Sequence, residues 1–129
     1  MSNSDLVIKS NTLIDASFKL SLSELRLLNV VFAEISDNSE GSDGFYNNDF
    51  KVTAEQYSQI YEVDKSTAYE ALQDASQRLF HRYFKYEGAV YKKPDFVEVV
   101  ESRWVSKIKY SEQGGYVKLV LTDDVKSMV

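Results

Sequence analysis

The stretch from Thr53 to Phe84 limits the possible folds of this chain most strongly, because it is typical of two helices joined by a tight turn. Thr53 followed by Gln56 has the spacing of a capping box, which begins a helix. Asp64 has the side chain of a second N-cap, and its carboxylate matches the positive end of a helix dipole. With residues 61–64 as the turn, the pattern predicts a helix-turn-helix unit.

Apolar residues recur through this unit at helical spacing. Ala54, Tyr57 and Ile60 are predicted to share one face of the first helix. The second helix carries a stripe of apolar residues facing the core, namely Ala68, Leu72, Ala75 and Leu79. Many helix pairs of this kind are packing units, so the rest of the chain must decide between packing and DNA recognition.

Composition excludes several classes of protein. A length of 129 residues, with 43% hydrophobic and 13% aromatic residues, predicts one globular domain. Cysteine is absent, so a disulfide framework and a thiolate metal site are excluded. His81 is the only histidine, so a histidine-based metal site or catalytic triad has almost nothing to draw on, and we expect no cofactor. The start has no signal peptide pattern and no apolar run spans a membrane, so we expect a cytoplasmic protein.

Charge is unevenly distributed along the chain. The net charge of −5 argues against a general nucleic-acid binder. Residues 1–64 hold eleven acidic and four basic side chains, whereas residues 78–118 hold nine basic and five acidic ones. Any contact with phosphate is therefore expected from the second half.

Further helices are predicted before the central unit. Ser21 and Glu24 form another capping box, which opens a helix to about Ile35. A brief helix through Leu13–Ala16 precedes it, and the polar composition of residues 36–49 predicts a loop. The uncharged run Leu27–Ala33 is a core helix segment that would be a candidate for aggregation if released.

Strands are predicted on both sides of the helix-turn-helix. Short strands are expected at Phe50–Val52 and Arg82–Tyr86, with a loop from Gly88 to Pro94. A long strand, Phe96–Tyr110, and its partner Tyr116–Leu121 are joined by the glycine-bearing loop Ser111–Gly115. A helix-turn-helix followed by such a hairpin predicts a single α+β domain, a winged helix.

The register of the hairpin follows from its apolar residues. The apolar faces of the two strands lie on the same side of the hairpin when the numbers of two paired residues add up to an odd number. Examples are Ile108 with Val117 and Trp104 with Leu121. Arg103, Lys107 and Lys109 then lie on the outer face, with Lys118 opposite Lys107. Such a face is complementary to a phosphate backbone, although a solubilising face with a charge bias is an equally simple interpretation.

Together these segments resemble the initiator (Rep) proteins of iteron-bearing, theta-replicating plasmids. The resemblance rests on VIKSNTLIDASFKL at 7–20, SELRLL at 23–28, the helix-turn-helix and SRWVS at 102–106, and it covers nearly all of residues 6–129. It implies that residues 1–129 form the first of two winged-helix domains, with the second absent here. It also implies a dimerisation role, phosphate contacts at the plasmid origin beside an iteron-reading second domain, and recruitment of host replication factors.

Candidate contact residues follow from the resemblance and the charge pattern. The helix beginning at Lys65 occupies the place of a recognition helix, but its first turn has no Arg, Asn or Gln for base reading. Glu70 and Asp74 further along would repel phosphate. The predicted DNA-backbone contacts are Lys65, Ser66, Thr67, Arg103, Lys107, Lys109 and Lys118.

Two alternatives remain beside this hypothesis. One is a winged helix used for protein–protein contact alone, favoured by the acidic first half. The other is a strand-nicking enzyme, which needs a pair of histidines as well as a tyrosine and has only His81. We therefore expect a non-catalytic protein that binds no small-molecule substrate and no membrane.

Overall fold

The computed structural model describes residues 11–37 and 49–129. The helices are α1 (residues 11–17), α2 (Leu22–Asp37), α3 (Ala54–Tyr61), α4 (Lys65–His81) and α5 (Asp123–Met128). The strands are β1 (Asp49–Thr53), β2 (Tyr83–Val90), β3 (Lys93–Arg103), β4 (Val105–Ser111) and β5 (Tyr116–Leu121). The predicted α+β winged helix is confirmed, whereas most of the loop predicted at residues 36–49 lies outside the described residues.

Local capping sets where the helices begin, as the sequence predicts. The Thr53 hydroxyl accepts from the Gln56 amide at 3.0 Å, and the Gln56 side chain accepts from the Thr53 amide at 2.8 Å. Asp64 accepts from the Thr67 amide at 2.9 Å. Between them Glu62 adopts a left-handed conformation with φ 57°, which ends α3 and turns the chain into α4.

The helical faces agree with the predicted stripes except at one position. Ala68, Leu72, Ala75 and Leu79 are all buried. Ile60 was predicted to face the core but is 55% exposed. Tyr61 takes its place, because its ring packs 4.8 Å from Tyr57 and its hydroxyl donates to the Arg26 carbonyl at 3.2 Å.

The strands form two separate sheets. One has three antiparallel strands in the order β1-β5-β4, and the other pairs β2 with β3. In β5, Val117, Leu119 and Leu121 are buried on the side where α4 packs. The alternating residues of β5 therefore point to the opposite, outer face.

The single strand predicted over Phe96–Tyr110 is wrong. Trp104 and Val105 are both buried, which breaks the alternation, and the chain leaves β3 for the other sheet at this point. The predicted loop from Gly88 to Pro94 shrinks to a turn at 91–92, with Lys92 at φ 58°. We call the hairpin of β2 and β3 the arm.

The register of β4 and β5 has the predicted parity but is shifted by two residues. From Lys107 onward the paired positions keep an odd sum, and Ile108 pairs with Leu119 rather than with Val117. A β-bulge between Val105 and Lys107 changes the parity at the end of the hairpin, so Val105 replaces Trp104 opposite Leu121. The shift arises because Ser111 pairs with Tyr116, so the loop consists of residues 112–115 and ends on Gly115 at φ 67°. Lys118 consequently lies opposite Lys109, not opposite Lys107.

An ion pair between a buried carboxylate and a partly exposed guanidinium joins α2 to the end of α4. Glu24 is fully buried, and its carboxylate accepts from Arg82 Nε at 2.9 Å and Nη2 at 3.1 Å. The Ser21 hydroxyl donates to it at 2.6 Å and the Ser21 amide at 2.9 Å. Burial raises the pKa of Glu24, but the hydrogen bonds from Arg82 and Ser21 outweigh burial, so the pKa lies below its ordinary value of 4.5.

Replacing Arg82 with alanine should strongly destabilise the domain, since it leaves the Glu24 charge buried without its cation. Because the Arg82 side chain is 39% exposed and solvent screens the pair in part, we expect a loss on the order of 2 kcal/mol in the free energy of unfolding, measured in urea. Arg78→Ala is the matched control on the same helix, because Arg78 pairs with Asp74 at 2.8 Å where both side chains are more than half exposed. It should cost less than about 1 kcal/mol. Equal losses in both variants would contradict this account.

The same ion pair predicts an acid-dependent loss of stability. A carboxylate with a lowered folded-state pKa stabilises the protein above its unfolded-state pKa, and this contribution is lost as the pH falls through the folded-state pKa. The difference in unfolding free energy between wild type and Glu24→Gln should therefore be constant above pH 4.5, the ordinary value, and shrink below it. Urea titrations through the acid range test this. A difference that does not change with pH would contradict it.

Candidate nucleic-acid interface

Three lysines form a row across the outer face of the three-stranded sheet. Lys51 in β1 pairs with Lys118 in β5, and Lys118 pairs with Lys109 in β4. Lys107 lies beside the row, opposite Val120. We call Lys51, Lys107, Lys109 and Lys118 the lysine face, and it points away from α4.

Local contacts offset part of the repulsion within this face. Like charges directly opposite each other cost about 0.2–1 kcal/mol per pair. Lys109 Nζ lies 3.3 Å from Asp49 Oδ2, which neutralises the β4 end of the row. The ammonium groups of Lys51 and Lys118 lie 4.5 and 5.5 Å from the centre of the Tyr116 ring. These contacts hold the cations on an open sheet surface, where an anionic partner can approach.

Sequence reasoning missed Lys51. The alternation of Phe50, Lys51 and Val52 places Lys51 on the outer face of β1, and the structure confirms that Phe50 and Val52 are buried. Pairing of β1 with β5 then brings Lys51 beside Lys118. The signal was therefore present in the short strand.

Arg103 does not lie on the lysine face, contrary to the prediction. It is the last residue of β3, opposite Tyr83 at the base of the arm. Its guanidinium Nη1 donates to the Phe80 carbonyl at 3.3 Å, near the C-terminal end of α4. The misplacement follows from the strand break at Trp104.

Lys65, Ser66 and Thr67 lie exposed in the first turn of α4, as predicted. The Thr67 hydroxyl is already hydrogen-bonded to Asp64 Oδ2 at 2.9 Å. This turn is on the side of the sheet opposite the lysine face. The predicted contact residues therefore fall into three groups: the first turn of α4, Arg103 at the base of the arm, and Lys107, Lys109 and Lys118 on the lysine face.

Neither a cluster of metal ligands nor a membrane-spanning helix is found among the described residues. Within residues 11–37 and 49–129, no group of three or more His, Cys, Asp or Glu side chains is arranged to hold a metal ion. Among the helices of these ranges, none is long and apolar enough to cross a membrane.

A solved WH1 domain has the same fold as this chain. The WH1 domain of MSBI1.176, a replication protein isolated from a multiple sclerosis patient, has 32% sequence identity with a TM-score of 0.76, over 94% of this chain and 88% of that chain. The Pi initiator protein, solved in complex with iteron DNA, has 25% identity and a TM-score of 0.48, over 60% of this chain and 32% of that chain. No curated protein sequence matches significantly.

The family comparison covers almost the whole chain. The model described as the initiator replication protein, WH1, matches residues 6–129. This range includes both the helix-turn-helix and the lysine face. The chain therefore belongs to the initiator replication protein family and carries its WH1 domain.

Proposed function

We propose that this chain is a non-catalytic module of a replication initiator, which self-associates through its arm and contacts the phosphate backbone of DNA through its lysine face. The row of Lys51, Lys118 and Lys109 is the observation that carries the proposal. In this proposal, base reading at a plasmid origin belongs to a second winged-helix domain, as the family resemblance implies.

The lysine face supports backbone contact without base reading. Its cations project from a sheet, which presents a broad surface to phosphates rather than a helix that enters the major groove. Lysine ammonium groups bind phosphate as point charges and have no fixed bidentate geometry. Binding through this face should therefore be weak, sensitive to salt and independent of sequence.

Lys65, Ser66 and Thr67 remain predicted contacts, but their position favours them less. They lie beside the β4–β5 loop on the side of the sheet where α4 packs, and not among the sheet lysines. Lys65 and Ser66 also line a cavity with three glutamates, which would repel phosphate. Arg103 is likewise separated from the row, so the proposal centres on the four sheet lysines.

The arm supports self-association because its apolar side chains are exposed. Val97 and Val99 on one face are 60% and 67% exposed, and Phe96 on the other is 61% exposed. Among the described strands, none pairs with the outer edges of β2 or β3. A long, apolar, unpaired edge is a template for pairing with another chain. A second copy can pair symmetrically with it, because each copy presents the same surface.

Neutralising two sheet lysines should weaken DNA binding in a manner that depends on salt. For Lys107→Gln with Lys118→Gln, we expect the slope of log affinity against log salt to fall by about 2, since each lost phosphate contact removes about one released counterion. The measurement is fluorescence anisotropy with a labelled duplex of arbitrary sequence. The matched control, Lys92→Gln with Lys93→Gln at the tip of the arm, should leave the slope unchanged.

Two outcomes would contradict the DNA part of the proposal. The first is an identical change of slope in both double variants, which would show a response to net charge alone. The second is undetectable DNA binding by the wild type at low salt. That result would favour the alternative function, a protein-interaction module that recruits host replication factors without touching DNA.

Charges introduced on the arm should separate the dimer. We expect Val97→Glu with Val99→Glu to raise the dimer dissociation constant at least about tenfold, because the buried glutamates would repel across the symmetric interface. Sedimentation equilibrium over a range of concentrations measures this. Ile60→Glu is the matched control, since Ile60 is 55% exposed on α3, outside the arm. A wild type that stays monomeric, or a control that dissociates equally, would contradict the assignment.

A further inference from the structure

The ring of Tyr116 lies among the cations of the lysine face. Tyr116 and Lys118 are two residues apart in β5, so both side chains point to the outer face. Tyr116 pairs with Thr53 of β1, and Lys51, two residues before Thr53, is its diagonal neighbour. The ring centre lies 4.5 Å from Lys51 Nζ and 5.5 Å from Lys118 Nζ. One ring therefore contacts the two lysines that stand directly opposite each other.

Gly114 determines where this ring can lie. A Cβ atom at position 114 would be 2.5 Å from Cε2 and 2.8 Å from Cδ2 of Tyr116, so the ring packs directly on the glycine backbone. The loop beneath the ring is itself fixed. The Gly114 amide donates to Ser111 Oγ at 3.0 Å, and the Gly115 carbonyl accepts from the Ala54 amide at 2.7 Å. A side chain at position 114 would displace the ring from this place.

Holding the two lysines in place affects binding because lysine side chains are flexible. A lysine that binds an anion loses rotamer freedom, and ordering the side chain beforehand lowers that cost. The negative face of the ring attracts each ammonium group and offsets the repulsion between the two. Each ammonium group has three donors, so a contact with the ring leaves donors for phosphate oxygens.

We propose that Tyr116, packed on Gly114, is a positioning residue of the lysine face, which raises the affinity for DNA by holding Lys51 and Lys118 in place before the duplex binds. This inference rests on the proposed function, because it concerns the same surface. It makes the ring a determinant of affinity beside the number of cations. Removal of the ring should therefore weaken binding without changing how many phosphates are contacted.

The test compares Tyr116→Leu with wild type by fluorescence anisotropy, with a labelled duplex of arbitrary sequence at several salt concentrations. The variant keeps every lysine, so we expect at least about fivefold weaker binding with an unchanged slope of log affinity against log salt. Tyr116→Phe keeps a ring and should bind within about twofold of wild type. Gly114→Ala displaces the ring and should weaken binding as Tyr116→Leu does.

The matched control variants lie on the arm. Tyr91→Leu removes another ring that contacts a lysine, since Lys92 Nζ lies 5.4 Å from its centre. Gly88→Ala adds a methyl group at another crowded glycine, where a Cβ atom would lie 3.3 Å from Val100 Cγ2. Both variants should keep the wild-type affinity and slope, because neither changes the lysine face.

NMR of the free protein measures the position of the lysines without DNA. The ring current of Tyr116 should shift the Hε resonances of Lys51 and Lys118 upfield relative to those of Lys107. This shift should disappear in Tyr116→Leu and persist in Tyr116→Phe. The wild-type shift alone tests the positioning, even if a variant fails to fold.

The proposal would be overturned by any of three results. These are the absence of the upfield shift in wild type, wild-type affinity in Tyr116→Leu, or equal weakening in Tyr91→Leu. If wild type binds DNA, each of these results leaves the DNA proposal standing. Undetectable DNA binding by wild type, with the upfield shift present, would instead contradict the proposed function and, with it, the effect of the ring on affinity.

Discussion

The burial of Trp104 divides the second half of the chain into two separate hairpins. Its side chain is 1% exposed and its ring centre lies 5.2 Å from that of Phe84. Its carbonyl accepts from the Thr122 amide at 3.2 Å, which ties the crossing point to the residue after β5. Because the chain must enter the core here, β3 and β4 cannot continue as one strand. The arm is thereby left outside the three-stranded sheet, with Phe96, Val97 and Val99 in its outer part exposed.

The Glu24–Arg82 pair complements this arrangement at the start of β2, on the other strand at the base of the arm. Arg82 follows α4 and directly precedes β2, so its bond to the N-terminal turn of α2 fixes the direction in which the arm leaves the domain. Tyr86 adds a second attachment, since its hydroxyl donates to Asp124 Oδ2 at 3.0 Å. The base of the arm is anchored while its outer part is free, which is the arrangement required for pairing with another chain.

Much of the helical part of the fold could be predicted because its determinants are local. Caps at Ser21, Thr53 and Asp64 act on the next three residues, and the stripe of α4 needs only helical spacing. The strand break at Trp104 could not be predicted, since both flanking segments alternate and no glycine or proline marks the crossing. The prediction that Arg103 lies on the outer face of the hairpin was wrong for the same reason. It depended on the position of the strand break, which tertiary packing decides.

The candidate site was predicted where it depended on alternation alone. Any register in which the numbers of paired residues add up to an odd number places Lys107, Lys109 and Lys118 on one face of the hairpin. Which lysines stand opposite each other depends on the length of the loop at Gly115, and the contribution of Lys51 depends on a strand distant in sequence. Long-range pairing is therefore the part of the site that sequence reasoning reached least well.

The lysine face and the surface at the first turn of α4 carry opposite charges. The central claim of the account is therefore that DNA lies on the outer face of the three-stranded sheet and does not touch the first turn of α4. Lysine acetylation with a limiting reagent, read by mass spectrometry with and without a duplex, tests this at single residues. The account predicts that the duplex protects Lys51, Lys107, Lys109 and Lys118 while Lys65 reacts at an unchanged rate. Protection of Lys65, with the sheet lysines still reactive, would contradict it.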